Sequence, residues 1–136
     1  MAVFNKFNAF VEAVAEKVHN LGSDQLTLAL TNTLPTSANS VLADITQISY
    51  TNLSTRNLTT TASSQTGGLY KLVVSDITLT STGGSTGPFR YVVVYNSTAA
   101  GGPLIGWYDY GTSLTLNSGE SLAVDFDQVN GLLTLQ

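Results

Sequence analysis

The chain has 136 residues, no cysteine, a single histidine and a net charge of −4. Its length predicts one domain, residues 1–136, and the absence of thiols excludes disulfides, a thiolate metal site and a cysteine nucleophile. Five basic residues in an acidic chain provide no electrostatic surface for nucleic acid. No apolar run reaches the ~18 residues that a membrane-spanning helix needs.

Hydroxyl groups replace charges as the main source of polarity. Only 10% of the residues are charged, against ~25% in average soluble domains, whereas 19 are threonine and 14 are serine. Covering neutral side chains costs less desolvation free energy than burying unpaired Lys or Glu. This composition suits a surface that is covered by neighbouring proteins, although threonine is also favoured by strands in general.

The N-terminal segment has the period of an amphipathic helix. Its apolar residues recur at spacings of three and four and share one face: Val3, Phe4, Phe7, Phe10, Val11, Val14, Val18 and Leu21. Gly22 is suited to the left-handed position that ends a helix. The pattern predicts a helix over residues 3–21. Its aromatic face would either cover an open end of a sheet or dock on a neighbouring subunit.

Residues 25–136 are predicted to form strands. The predicted strands are Leu26–Leu30, Ala43–Tyr50, Leu69–Ser75, Ile77–Thr80, Phe89–Tyr95, Leu104–Tyr110, Leu114–Leu116, Leu122–Phe126 and Leu132–Leu135. Thr51–Gly68 is almost entirely polar, which indicates an exposed excursion with at most one edge strand. Asn130-Gly131 is typical of a two-residue hairpin turn. The whole pattern predicts a mainly β fold, a β-sandwich or jelly roll with a single N-terminal amphipathic helix.

Motifs for catalysis or metal binding are weak. His19 is expected on the surface of the last helical turn, where it complements the helix dipole. Gly83–Gly87 matches the G-x-S-x-G pattern, but a β-rich run follows where a nucleophile elbow requires a helix. The segment Asp125–Gly131 departs from a calcium loop, because Val129 holds the fifth position and the glycine comes one residue late. We therefore expect no enzyme activity, no cofactor and no metal.

The aromatic residues of the strand near position 108 leave three interpretations open. Trp107 faces opposite Tyr108 and Tyr110, so one side belongs to the core and the other points outward. The outward side would be a partner contact, a stacking platform for sugars or part of a second buried face. The candidate partner-contact residues lie on the helix, in the polar excursion and on this strand: Phe4, Phe7, Phe10, Arg56, Tyr108 and Tyr110.

Two groups of segments resemble a known family. The first group is Phe4–Phe7, Phe10–Glu12, Glu16–Gly22 and Leu30–Thr33; the second is Gly87–Tyr91, Pro103–Gly111 and Val124–Phe126. Together they resemble the small head cement, or decoration, proteins of tailed bacteriophages. The region Thr36–Ser64 carries no part of this resemblance.

The resemblance implies a specific role. It implies a jelly-roll-like fold, a homo-oligomer (most plausibly a dimer), and binding across the joints between major capsid protein subunits on the outer surface of the virion. It implies synthesis in the host bacterial cytoplasm, and it carries over no catalytic residue. A structural protein of the phage tail or neck, and a carbohydrate- or receptor-binding β-sandwich module, are the alternatives.

Overall fold

The computed structural model describes residues 2–136. This range is mainly β, with antiparallel sheets and one short helix, α1 (Asn8–Ala15). Its strands are β1 (Asn5–Lys6), β2 (Leu26–Thr31), β3 (Thr60–Thr66), β4 (Leu69–Val74), β5 (Ile77–Thr80), β6 (Thr86–Asn96), β7 (Leu104–Leu116), β8 (Ser121–Val124) and β9 (Leu133–Leu135). A single 3₁₀ turn covers Leu42–Asp44.

Three sheets surround the main hydrophobic core. Their strand orders are β1-β7-β6-β2, β3-β4-β9 and β5-β8. The first sheet contributes Leu28, Val94 and Ile105, the second Leu72 and the third Leu79, and all five side chains are fully buried. Burying each side chain of this size contributes about 1.5–3 kcal/mol, so the core stabilises all three sheets together.

A second, smaller core lies on the other face of the first sheet. It joins Ala29 and Val93 to Phe7, Ile45 and Leu104, and the segment that follows the 3₁₀ turn covers it. Strand β2 is therefore buried on both faces, which corrects the prediction of a half-buried strand. The predicted strand at residues 43–50 is wrong, because its first two residues belong to the 3₁₀ turn and the others pair only at one bridge, between Thr31 and Gln47.

The helix is shorter than the predicted residues 3–21. On its N-terminal side, β1 pairs with β7, and the Phe7 amide donates to the Ile105 carbonyl at 3.2 Å. On its C-terminal side, Lys17 has a φ of 67°, and the Val18 amide donates to the Ala13 carbonyl at 2.9 Å. Lys17, rather than Gly22, therefore occupies the left-handed position that ends the helix.

Gly106 allows β1 to lie against β7. Lys6 is its partner in the ladder. A Cβ at this position would lie 2.7 Å from the carbonyl oxygen of Asn5 and would overlap the ring of Phe4. A side chain therefore cannot be accommodated without moving the N-terminal strand.

The predicted hairpin at Asn130-Gly131 does not form. Strand β8 pairs with β5, and β9 pairs with β4. The carboxylate of Asp127 instead holds the intervening turn by accepting the backbone amides of Val129 and Asn130 at 2.9 and 2.7 Å. A local turn signal cannot specify which strands pair when both strands find partners elsewhere.

Several other strand predictions are confirmed. Strands β4 and β5 coincide with their predictions to within one residue, and β6 and β7 extend theirs. The polar excursion does carry an edge strand, β3, which pairs only with β4. In residues 2–136, no helix has the length and apolar character needed to cross a bilayer.

Replacing Lys17 by glycine should stabilise the chain. Glycine adopts a positive φ without the steric cost that other residues carry, and this gain exceeds the extra entropy that glycine gives the unfolded chain. We expect Lys17→Gly to raise the free energy of unfolding by about 0.5–1 kcal/mol in urea denaturation. The reverse control, Gly67→Ala at a φ of 60° in open space, should lower it. A loss of stability in Lys17→Gly would contradict the assignment.

Candidate functional site

Two of the six predicted contact residues lie in the interior. Phe7 is fully buried and Phe10 is 2% exposed. The ring centroid of Phe7 lies 4.6 Å from that of Trp107, and the ring centroid of Phe10 lies 5.3 Å from that of His19. This corrects the expectation that Phe7 and Phe10 contact a partner, because both rings pack within the chain itself.

Arg56 is held by contacts within its own chain. Its guanidinium lies 3.6 Å from the ring centroid of Tyr50 and donates to the Leu28 carbonyl. Burial raises the pKa of Tyr50, and the Tyr50 hydroxyl accepts the backbone amide of Leu30 at 2.9 Å. Arg56 therefore holds its loop against β2. Its side chain is half-exposed, so only part of its surface is accessible to a partner.

Tyr108 stands at the margin of the main core. Its ring centroid lies 5.2 Å from that of Phe4 and 6.0 Å from that of Phe126. Burial, together with the negative charge of Asp127, raises the pKa of Tyr108 to about 12. The phenol is therefore neutral across the physiological range, and it remains partly accessible together with Phe4.

A small cavity of about 190 Å³ opens between β7 and β8. Tyr108, Tyr110 and Asp125 line it together with Val92 and Val124. Tyr110 is 48% exposed, which makes it the most exposed of the six predicted contact residues. Its apolar walls and few polar groups are of the kind that line small-ligand sites, and its volume is below the ~300–1,000 Å³ of sites for drug-sized ligands.

An ion pair borders the same cavity. The Arg90 guanidinium donates to both carboxylate oxygens of Asp109, at 2.8 and 3.1 Å. The Gly111 amide also donates to this carboxylate at 2.8 Å. The Arg90 hydrogen bond, followed by that of Gly111, lowers the pKa of Asp109. Because both side chains are more than a third exposed, solvent screens the attraction between them, and the main effect of the pair is to fix the carboxylate in place.

His19 is buried, which corrects its expected position on a helix surface. It is 8% exposed and lies beyond the end of α1. The Asn96 amide nitrogen donates to His19 Nδ1 at 3.0 Å and to the Asp24 carboxylate at 2.6 Å. The Asn96 oxygen accepts the backbone amides of Thr98 and Ala99, which fixes the orientation of the side-chain amide. This network ties the segment after the helix to the end of β6.

The same geometry determines the protonation of His19. Because Nδ1 accepts a hydrogen bond from Asn96, the neutral ring carries its proton on Nε2. Nε2 is buried and has no hydrogen-bond partner among the described residues. Burial lowers the pKa of His19, against the opposing charge of Asp24. The imidazole is therefore a neutral structural group. Nδ1, the nitrogen that could accept a proton, is occupied by the hydrogen bond from Asn96, and the protonated Nε2 is enclosed by the protein.

The other sequence motifs have structural roles. Ser85, in the G-x-S-x-G segment, lies in the turn directly before β6. Asp127 holds the turn described above, and its hydrogen bonds with Asn130 lower its pKa. Within residues 2–136, no group of three or more His, Asp or Glu side chains is arranged to hold a metal ion.

Strand β3 forms a polar, uncharged part of the surface. Its residues 61–66 are all exposed and none is charged. The Ser63 hydroxyl lies 2.8 Å from that of Tyr70, and the Thr61 hydroxyl donates to the Val73 carbonyl at 3.3 Å. The exposed apolar residues lie elsewhere and are scattered: Val3, Val11, Val18, Leu34, Leu69, Tyr110 and Val129.

The unpaired edge of β9 is a surface feature that the sequence did not predict. Strand β9 is the last strand of its sheet and has no neighbour on its outer side. The sequence pattern paired this strand with the preceding strand in a terminal hairpin, whereas β9 ends the sheet that β3 and β4 form. Only the pairing of β9 with β4 reveals that the edge is free, and no local pattern in the sequence carries that information.

Comparisons of the chain with protein-family models, with curated proteins and with solved structures find no match.

The buried His19 should make stability depend on pH. The pKa of the folded state lies below the unfolded value of ~6.5, so the unfolded chain binds the proton first as the pH falls. We expect the free energy of unfolding to decrease below pH ~6.5, with a slope of at most about 1.4 kcal/mol per pH unit from this group. Urea denaturation at several values between pH 8 and 5 would measure this slope.

The matched control is His19→Gln, which keeps a polar side chain but does not titrate. Its stability should fall less between pH 8 and 5 than that of the unchanged chain. Equal slopes in the two proteins would show that His19 does not contribute to the pH dependence.

Proposed function

We propose that this chain is a capsid cement protein of a tailed bacteriophage, with no enzymatic activity. It binds the outer surface of the shell and bridges neighbouring major capsid protein subunits. The observation that carries the proposal is the exposed, uncharged strand β3, together with the family resemblance of the sequence. The finer expectations, a jelly-roll-like arrangement of the sheets and a homodimer, belong to the same proposal.

The physical argument concerns desolvation. A rigid β module with a neutral, hydroxyl-rich face is covered by a neighbour without burying unpaired charges. Among the described residues, Arg90 and Asp109 form the single ion pair, so few charged contacts need to be rearranged on binding. Binding that is selective for the expanded shell stabilises that shell by mass action, and the bound protein raises the barrier to rupture by packaged DNA.

Cosedimentation tests this proposal. The purified chain should sediment with emptied, expanded capsids assembled from the major capsid protein of the same genome, and should remain in solution with unexpanded procapsids. Bound chains should also raise the temperature at which the expanded capsids rupture. Absence from both pellets would rule out a cement role and would leave a tail or neck position as the nearest structural alternative.

A second candidate function, the binding of a host saccharide, is favoured by the cavity between β7 and β8. An exposed tyrosine ring can stack on the apolar face of a sugar, and the carboxylate of Asp125 can accept hydrogen bonds from the sugar hydroxyls. Trp107 is not part of this surface, because its ring packs on Phe7. The platform would therefore consist of Tyr108 and Tyr110 alone.

Glycan binding is tested with an array of bacterial surface saccharides. If this second function holds, the unchanged chain should retain a saccharide, and Tyr110→Ala should weaken its binding at least tenfold, since it removes the accessible ring. Val129→Ala is the matched control, because it removes another exposed apolar side chain that does not line the cavity. Equal retention of saccharide by both variants would exclude the cavity as the binding site.

A further inference from the structure

The connecting segment between the end of helix α1 and strand β2, residues 18–24, has few attachments to the rest of the fold. Among the described residues, its backbone amides donate only to the Ala13 carbonyl or to oxygens within the segment itself. Its hydrogen bonds to any later part of the described chain all come from Asn96, at the end of β6. Only the side chains of His19 and Leu21 are buried. The segment is therefore held on the body by Asn96 and by two side chains.

Both ends of the connecting segment are fixed independently of Asn96. At one end, Lys17 takes the left-handed conformation in which the helix ends. Beyond the other end, the Gln25 amide donates to Thr98 Oγ1 at 2.8 Å, and its side chain donates to the Leu58 carbonyl at 2.8 Å. The ladder between β2 and β6 begins at Leu26. The segment can therefore move away from the body without unpairing the sheet.

Asn96 uses its full hydrogen-bonding capacity. Its oxygen accepts the backbone amides of Thr98 and Ala99 at 2.9 and 3.1 Å. Its amide nitrogen donates to the Asp24 carboxylate at 2.6 Å and to His19 Nδ1 at 3.0 Å. A side-chain amide has two hydrogens to donate and one oxygen with two lone pairs, and this one is completely buried. Asn96 therefore cannot turn its oxygen toward the imidazole without leaving two backbone amides unpaired.

Uptake of a proton by His19 is incompatible with this arrangement. The imidazolium carries a hydrogen on both ring nitrogens, so Nδ1 would face the Asn96 donor instead of accepting from it. Nε2 is buried and has no partner among the described residues. Burial also lowers the pKa of His19. Because unpaired buried donors are unfavourable, the charged ring is stable only where water reaches it.

The other titratable groups near the ring do not reverse this preference. Asp24, Lys17 and Tyr70 line the same cavity as His19, whereas β3 contributes a hydroxyl to it and α1 and β9 contribute only apolar side chains. Attraction by Asp24 opposes the lowering of the His19 pKa, but burial is the larger effect. Lys17 has the same sign of charge as an imidazolium, so it adds no stabilisation.

We propose that His19, Asn96 and Asp24 form a pH-sensitive latch, and that protonation of His19 releases residues 18–24 from the end of β6 while the sheets remain folded. In the released segment the ring titrates as in water, at pH ~6.5. The latch is therefore closed above this pH, and the ratio of open to closed forms rises by at most about tenfold for each pH unit below it. Opening also withdraws the imidazole from Phe10, whose ring centroid lies 5.3 Å away, and so uncovers part of a buried aromatic side chain.

Nuclear magnetic resonance on the full chain tests the latch, independently of any capsid. At pH 7.5, the ¹⁵N shifts of the His19 ring should identify the tautomer with its proton on Nε2. After correction for intrinsic exchange rates, the amide protection factors of Asn20, Ser23 and Asp24 should fall at least about fivefold between pH 7.5 and pH 5. At pH 5 they should also lie at least about tenfold below those of β2 and β6, because local opening requires less free energy than unfolding of the whole chain.

Two matched variants identify the group that titrates. His19→Gln keeps a polar side chain but takes up no proton, so its protection factors in the segment should change by less than about twofold between the two pH values. Asp24→Asn removes the other titratable side chain of the latch but keeps an oxygen that can accept the Asn96 amide. This variant should retain the fall below pH ~6.5. Far-ultraviolet circular dichroism of both variants should match that of the unchanged chain.

Three results would overturn the latch. A His19 ring that titrates above pH ~6.5 with the segment still protected would show that the imidazolium pairs with Asp24 in place. Equal protection factors at pH 5 in the segment and in β2 and β6 would show that His19 acts only through unfolding of the whole chain. A fall in protection that persists in His19→Gln, or that disappears in Asp24→Asn, would assign the titration to another group.

Discussion

The pairing of β6 with β7 is the interaction on which the rest of the structure depends. Strand β6 lies between β7 and β2, and its residues alternate between two cores, with Val92 and Val94 in the main one and Val93 and Tyr95 in the smaller one. Register shifts interrupt the ladder at three places. Bulges of this kind bend long strands and increase their twist, so a single pair of strands supports both cores and also anchors the N-terminal strand.

Alternation of apolar and polar residues located most strands but could not determine their partners. The sequence predicted strands at β4 to β7, since each has a local pattern of its own. It could not show that Ala29 lies in a second core, because that core is completed by Ile45 and Phe7 from distant segments. The helix was overestimated for a similar reason. Its apolar period continues through residue 21, but pairing with β7 at Asn5 and the left-handed Lys17 limit the helix to two turns.

For the candidate site, too, local sequence patterns predicted some features and missed others. Strand alternation separated Trp107 from Tyr108 correctly, because both lie on one regular stretch of β7. Helical periodicity placed Phe7 and Phe10 on a face, but it could not tell whether that face meets the chain's own sheets or another protein. The free edge of β9 depends entirely on which strands pair, and a terminal Asn-Gly turn indicated the wrong partner. Surface features that arise from tertiary pairing are therefore the ones that local patterns miss.

The close approach at Gly106 makes one position of β7 decide the path of the first strand. A side chain there would meet the Asn5 carbonyl and the Phe4 ring, so β1 would have to move away from β7. Phe7 and Phe10 would still hold the segment that follows, because their rings are buried in the two cores. In related chains, a larger residue at this position would therefore indicate a displaced N-terminal strand on an otherwise unchanged body.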